Sequence, residues 1–470
     1  MNLQKLLSQP EGKTLELKSN LSSLRPILKT LVGFANTAGG TLIIGRSDDG
    51  KIIGVDDVLR DEERLASAIA DSIRPAMMPE IEIYSHEGKP LLIVTVPHWR
   101  GPFYLKTEGP EKGVYVRLGS TNRRAGEELL AELQRSLGGL SYDQMPLSTI
   151  TVDDLDVDKI QQVFASVRRT IDDHKLESMG VLVSHTGRPV VSNGGLILFG
   201  RDRSREQFFP DARVSCARFR GTDRTDFIDR LDIEGSVFDA IDEVPRFIRR
   251  NTRMAARIGA MRRQDIPEYP EVAIREVLVN AIAHTDYSLT GMHILIAIYS
   301  DRMEIQNPGM LPFGMTMEDF KDGVSKVRNR VIARVFRELG LMEEWGSGYR
   351  RVMAACKSGG YLAPEWQELG SAFRVTFYPH SDITARLESD VPINVSVNVP
   401  VNERQQWFLN QLGIGKRVKA ADFARHWNVA LKTAKRDIAA LKEQGIIEFV
   451  GPPKTGIYRL MQDLALSIDR

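Results

Sequence analysis

Cysteine is nearly absent from this chain. Among 470 residues there are two, Cys216 and Cys356, far apart and outside any CxxC or Cys/His cluster. A disulfide framework and a structural zinc site are therefore not expected. Long apolar runs are absent too. No window approaches the roughly 18 to 20 residues of a membrane span, and the first residues lack the apolar core of a signal peptide. A cytoplasmic protein with no membrane partner is expected. Net charge is also missing. Lys and Arg number 63 against 62 Asp and Glu, a formal +1. Any affinity for nucleic acid must then reside in local patches.

What is present is length and patterning for several cores. At about 150 residues per domain the chain suggests about three domains. Residues 1–140 read as a mixed α/β domain. Leu21 to Thr37 has a helical apolar face, stopped by Gly39 and Gly40. Residues 41–55 read as a hairpin turning at Ser47 to Gly50, and residues 81–97 as another around Glu87-Gly88-Lys89. Residues 145–265 read as a connecting α/β domain without a chemical motif. It begins with a helix in DLDVDKIQQVFASVRRTI and ends with a long one containing FDAIDEVPRFIRRNTRMAARI. Residues 268–380 alternate helix and strand again. Residues 381–402 form a linker, and residues 403–470 a last domain. The fold class is thus α/β multidomain.

The stretch REVLVNAIAHTDYS carries the sharpest chemistry. Glu276 and Asn280 are four apart and share one face of a helix. An amide oxygen beside phosphate oxygens suffices to hold Mg²⁺, which keeps several waters. A neighbouring carboxylate can orient or deprotonate an attacking water. Downstream, DRMEIQNPG ends a strand in Asn307-Pro308-Gly309. EEWGSGYRRV then places Gly346-Ser347-Gly348 before a helix, where backbone N–H groups can reach phosphate. In this order the three pieces resemble the divergent ATP-binding domain of the GHKL class of gyrases and histidine kinases, in the form fused to Schlafen-type AlbA-like domains. The resemblance implies an α/β sandwich that binds ATP with Mg²⁺. It gives Glu276 the role of catalytic base and Asn280 that of magnesium ligand. It places Asn307 and Gly309 at the adenine, and Gly346 and Gly348 in the phosphate lid. Where the wider class has Asp, this chain has Asn307, which can accept the adenine hydrogen bond without charge assistance.

Near the N-terminus, Glu16-x-Lys18, Asn36-Thr37-x-Gly39-Gly40, Gly45 before an Asp-Gly turn, and Tyr115-x-Arg117-x-Gly119-Ser120 together resemble the Schlafen-type AlbA-like domain over roughly residues 10–130. That resemblance implies nucleic-acid binding. The residues agree: Arg100, Lys106, Lys112, Arg117, Arg123 and Arg124 lie among Trp99, Phe103, Tyr104 and Tyr115. Cations can neutralise phosphates and rings can stack on bases. Lys18, Lys106, Tyr115 and Arg117 are the candidate contacts. The alternative is a metal-dependent nuclease using Glu11, Glu16, Asp48 and Asp49, although Asp48-Asp49-Gly50 is also ordinary turn chemistry.

The last domain offers helices at 403–412, 418–428 and 431–445, then a strand, a Pro/Gly turn and a strand. Three helices and a β-hairpin make the winged-helix pattern, similar to bacterial regulators. From Lys416 to Arg459 there are ten basic and four acidic residues. Lys432, Lys435 and Arg436 would face a major groove, with Lys454 at the wing tip. As a whole the chain resembles the RecG-related bacterial transcriptional-regulator family. The expected function is an ATP-binding regulator that binds nucleic acid, DNA in preference to RNA, in transcription or phage defence, as a homodimer. A nuclease and a protein-binding adaptor are the alternatives.

Overall fold

The computed structural model describes residues 3–47, 50–258, 263–343, 346–384, 401–413, 418–450 and 456–461. The chain forms two units. One comprises Met1–Thr252 and Tyr269–Tyr378, the other Arg253–Glu268 and Pro379–Arg470.

In the first unit, the apolar face of residues 24–36 becomes the Leu24–Asn36 helix, burying Ile27, Leu28, Leu31, Val32, Phe34 and Ala35. It joins two parallel strands, Leu15–Lys18 and Gly40–Ile44. The second pairs antiparallel with Lys89–Val96, which pairs with Glu80–His86. The turn between these last two uses left-handed Glu87 and Gly88, as a tight hairpin requires. Of the hairpin expected over 41–55 only the tip pairs: Arg46 bridges Ile52, the Ser47 N–H donates to Lys51 O at 3.0 Å and the Ile53 N–H to Gly45 O at 2.8 Å, while Gly40–Ile44 has other strands on both sides.

Six strands make the larger sheet, in the order Phe227–Ile233, Val214–Phe219, Ile294–Ile298, Met303–Pro308, Ala372–Phe377 and Glu365–Leu369. All pairs are antiparallel except Val214–Phe219 with Ile294–Ile298. The segments 145–265 and 268–380, expected as separate domains, therefore contribute to one sheet and one apolar core. The helix expected through residue 258 ends at Asn251. There Asn251 Nδ2 donates to Phe247 O at 3.1 Å and Thr252 Oγ1 to Ile248 O at 2.7 Å, closing the last carbonyls. The helix expected over DLDVDKIQQVFASVRRTI is likewise shorter, Val157–Ala165.

The Glu271–His284 helix packs against the Val237–Asn251 and Gly348–Gly359 helices and the Met303–Pro308 strand. Its residues Ala273, Ile274, Val277, Leu278, Val279, Ala281, Ile282 and Ala283 are all buried. Apart from exposed Glu271 and Arg275, its polar residues form one row, Glu276, Asn280 and His284, repeating every four residues. Another anchor is Asp143, fully buried. Its carboxylate accepts backbone N–H from Arg330, Val331 and Ile332 at 2.7 to 3.0 Å. It thereby caps the Arg330–Glu338 helix from far away in sequence.

In the second unit, Met254–Ile258 and Arg263–Pro267 pair antiparallel. The helices Glu403–Gly413, Ala420–His426 and Leu431–Glu443 precede the antiparallel strands Ile447–Val450 and Ile457–Leu460. Phe408, Leu409, Phe423, Ala434, Ile438, Leu441 and Ile447 form their core. Among the described residues no helix is long and apolar enough to cross a membrane.

Candidate functional site

The polar row of the Glu271–His284 helix opens onto a cleft of about 970 Å³, counted with the solvent at its mouth. Glu276, Asn280 and His284 line it from this helix, Asn307 from the Met303–Pro308 strand, and Gly346, Ser347 and Gly348 from the start of the Gly348–Gly359 helix. Five of the residues singled out from the sequence for nucleotide binding thus meet in one cavity. Gly309 does not line it. It sits behind, at φ +99°, where an added Cβ would lie 2.9 Å from Asp286 Cβ.

Inside the pocket, Asn280 Nδ2 donates to Glu276 Oε1 at 3.0 Å and to Glu276 O at 2.9 Å, which leaves the amide oxygen as its acceptor face. Gly348 lies hard against this pair. A Cβ there would fall 2.9 Å from Glu276 Oε1 and 3.0 Å from Asn280 Nδ2, so any larger residue would have to push those side-chain ends aside. Gly346, at φ +61°, passes so near Gly323 that a Cβ would lie 2.0 Å from Gly323 O. Asn307 is buried, and its Nδ2 donates to Pro308 O at 3.1 Å.

Three features of the pocket carry no signature in the sequence. Arg351 Nη2 pairs with Glu276 Oε2 at 2.7 Å and its Nη1 with Glu343 Oε1 at 3.0 Å. The candidate base is thus held by a guanidinium one turn into the Gly348–Gly359 helix. Phe320, Tyr349, Trp366 and Phe373 form an aromatic wall, with Phe320 5.0 Å from Trp366 and 5.3 Å from Tyr349 by ring centroids. Such a wall suits a flat heteroaromatic ring. His284 extends the polar row. Burial, and then Arg328, push its pKa down to about 4, so it is a neutral imidazole at pH 7. The WGSGYRR run signals Arg351 only as a charge near the glycines.

The N-terminal candidates fall out differently. Arg117 was expected to meet phosphate, but its side chain is fully buried. It bonds Gly12 O at 2.8 Å, Leu15 O at 3.1 Å and Glu16 Oε2 at 2.5 Å, and lies over the Phe34 ring. Tyr115 was expected to stack on a base. Its ring is buried too, with Lys29 above it and the hydroxyl donating to Glu108 Oε2 at 2.6 Å. Both are structural, because the Tyr115–Leu118 strand is covered on both faces. Lys18 is half-buried and pairs with Glu16 at 2.7 Å. Lys106, Lys112, Arg123 and Arg124 are exposed.

For the nuclease alternative, Glu16 gives one oxygen to Arg117 and the other to Lys18. Glu11 accepts the Leu17 N–H at 2.9 Å and lies 3.6 Å from Lys18. The chain's own cations occupy the carboxylates that this reading needs for metal. Asp48 and Asp49 lie outside the described residues.

In the second unit, Lys432, Lys435 and Arg436 are exposed on the Leu431–Glu443 helix, opposite buried Ala434, Ile438 and Leu441. Asp437 beside them is buried and accepts from Arg404 Nε at 2.9 Å. Ala439 is exposed as well. Lys454 lies outside the described residues.

Two segments match known families. Residues 11–126 match the family described as "Schlafen, AlbA_2". Residues 291–377 match the one described as "Putative ATP-dependent DNA helicase recG C-terminal". The chain therefore carries a Schlafen AlbA_2 domain and a RecG-C-terminal-like ATPase domain, which together point to nucleic-acid-related ATP binding. Glu276 and Asn280 precede the second matched segment. Among solved structures, the DIP2311 protein of Corynebacterium diphtheriae is 20% identical over 99% of this chain and 98% of its own, with a TM-score of 0.45. The N-terminal domain of a "Putative ATP-dependent DNA Helicase RecG-related Protein" from Nitrosomonas europaea is 30% identical. It covers 26% of this chain and 90% of its own, with a TM-score of 0.22. No curated protein matches the chain.

Proposed function

We propose that the chain is an ATP-binding regulator that acts on DNA. The observation that carries this reading is the meeting of Glu276, Asn280, Asn307, Gly346 and Gly348 on one pocket. Gly348 brings the start of its helix against the Glu276 and Asn280 side chains. The N–H groups of Gly346 and Gly348 would meet a nucleotide's phosphates at a helix start. Asn280 would offer its amide oxygen to Mg²⁺, which supplies charge neutralisation at the phosphates when bound. Asn307 would accept from the adenine amino group, beside the aromatic wall. Arg351 holds Glu276 by an ion pair. Phosphate entering there would compete for the guanidinium and free the carboxylate to orient water.

The DNA side of the reading rests on exposed cations. Lys432, Lys435 and Arg436 would enter a major groove from a winged helix, and Lys106 with Arg123 and Arg124 would meet backbone phosphates. A cytoplasmic homodimer, acting in transcription or defence, would set two such helices on a pseudo-palindromic site.

Fluorescence anisotropy of the full chain with labelled mixed-sequence duplex, with and without Mg²⁺ and a non-hydrolysable ATP analogue, tests the whole proposal. Salt-sensitive duplex binding whose affinity shifts with the analogue is expected. Duplex affinity indifferent to the analogue removes the regulatory link, and no binding at low salt removes the DNA role.

A further inference from the structure

A second, open cleft in the first unit, about 870 Å³ counted with the solvent at its mouth, joins the N-terminal region to the loops of the larger sheet. Arg100 and Arg135 reach it from one side, and Lys326, Arg328 and Arg330 from the other. Two carboxylates share the wall, Glu132 and Asp286, and both are taken by Arg328. That guanidinium pairs with Glu132 through Nη1 and lies 3.2 Å from Asp286 Oδ2. It also donates to Met310 O at 2.9 Å, and its Nε is buried with no acceptor among the described residues.

The other four cations have no carboxylate within 4 Å among the described residues. Lys326 donates to Phe313 O and Arg330 to Gly139 O, both neutral acceptors. Arg135 lies over the Tyr142 ring at 5.2 Å. Arg100, Lys326 and Arg330 are exposed and Arg135 is half-buried, so like charges repel one another here through solvent and are partly screened by salt. The repulsion is visible in its neighbours. Desolvation and then Arg100 lower the pKa of Lys326 against a smaller opposing pull from Glu132, while burial and then Lys326 lower that of His98.

We propose that this cavity binds a phosphate group, held by Arg100, Arg135, Lys326 and Arg330. A phosphate carries up to two negative charges on oxygens spread tetrahedrally, so it can accept from several guanidinium and ammonium donors at once. A single carboxylate cannot answer four cations. The phosphate comes either from a small free phosphorylated compound or from the end of a nucleic-acid strand. Lys326 and Pro312 line this cavity and the nucleotide pocket alike, so a ligand in one touches the wall of the other. The phosphate site itself does not depend on the nucleotide reading.

Calorimetry of the full chain with inorganic pyrophosphate tests it, comparing wild type, Arg100→Gln, Arg100→Ala/Arg135→Ala and Asn280→Ala, each checked for folding by its melting transition. Wild type should bind, and Arg100→Gln should bind more weakly. The double variant should lose about tenfold or more, as expected for removing charge-assisted hydrogen bonds. In Mg²⁺-free buffer Asn280→Ala, whose proposed role is only through Mg²⁺, should bind as wild type. No binding by wild type, equal affinity in both arginine variants, or loss of binding in Asn280→Ala would overturn the assignment, the last by moving the phosphate to the other pocket. Competition with a short single strand bearing a 5′-phosphate or a 5′-hydroxyl separates the sources. Displacement by the phosphorylated strand alone assigns a strand end, and failure of both strands to displace pyrophosphate assigns a free compound.

Discussion

The pocket beside the Glu271–His284 helix and the Tyr115–Leu118 strand treat their polar residues in opposite ways. On the helix, apolar packing covers most sides, Glu271, Val272 and Arg275 meet solvent at its start, and the row Glu276, Asn280 and His284 faces the pocket. On the strand, both faces are covered, and Arg117 is turned into the protein to hold Glu16 and the carbonyls of Gly12 and Leu15. The same kinds of side chain thus serve a cavity in one place and the fold in the other. What separates them is whether the surrounding elements leave a gap, not the charge they carry.

Removing the guanidinium that the strand buries should have the largest effect. Arg117→Ala leaves the Glu16 carboxylate buried with one partner fewer, which costs about 3–5 kcal/mol in comparable pairs. Urea denaturation should show that loss. A stability within about 0.5 kcal/mol of wild type would return Arg117 to the surface and dissolve the contrast.

The pocket side gives an intermediate effect, readable through pH. His284 has its pKa lowered to about 4 in the folded chain, against about 6.5 unfolded. The unfolded chain then binds the proton first as pH falls. The stability this group contributes is full above about pH 6.5 and is lost progressively down to about pH 4. Between pH 7.5 and 5 wild type should lose about 2 kcal/mol that His284→Leu does not lose. Parallel pH profiles of the two proteins would contradict the burial of a neutral imidazole at the pocket.

The smallest effect on stability belongs to the exposed cations of the second unit. Lys435→Ala/Arg436→Ala should shift folding by less than about 0.5 kcal/mol, since exposed charges contribute little. It should also flatten the dependence of log duplex affinity on log salt by about one unit for each phosphate left without its cation. An unchanged slope would place the duplex elsewhere and favour a protein-binding role for this helix.

Much of this arrangement is local, and local patterns can be read from residue order. The four-residue spacing of Glu276 and Asn280 puts them on one face of any helix, and Glu87-Gly88 marks its turn in any hairpin. The rest depends on partners distant in sequence. Arg351 reaches Glu276 from a separate helix. Asp143 caps a helix that begins at Arg330. Strands 214–233 join the sheet of residues 294–377, so a boundary drawn where the pattern changes cuts through a continuous core. Arg117 misleads for the same reason, because its burial is decided by Gly12, Leu15 and Phe34.

The central claim is that the pocket takes Mg·ATP through Asn280 beside Glu276. Calorimetry with a non-hydrolysable ATP analogue and Mg²⁺ tests it on wild type, Asn280→Ala and Glu276→Ala. The account predicts binding by wild type and about tenfold or greater weakening in Asn280→Ala. Glu276→Ala should keep its binding while any phosphate release by the protein disappears. Equal affinity in wild type and Asn280→Ala, or no binding by wild type, would contradict it.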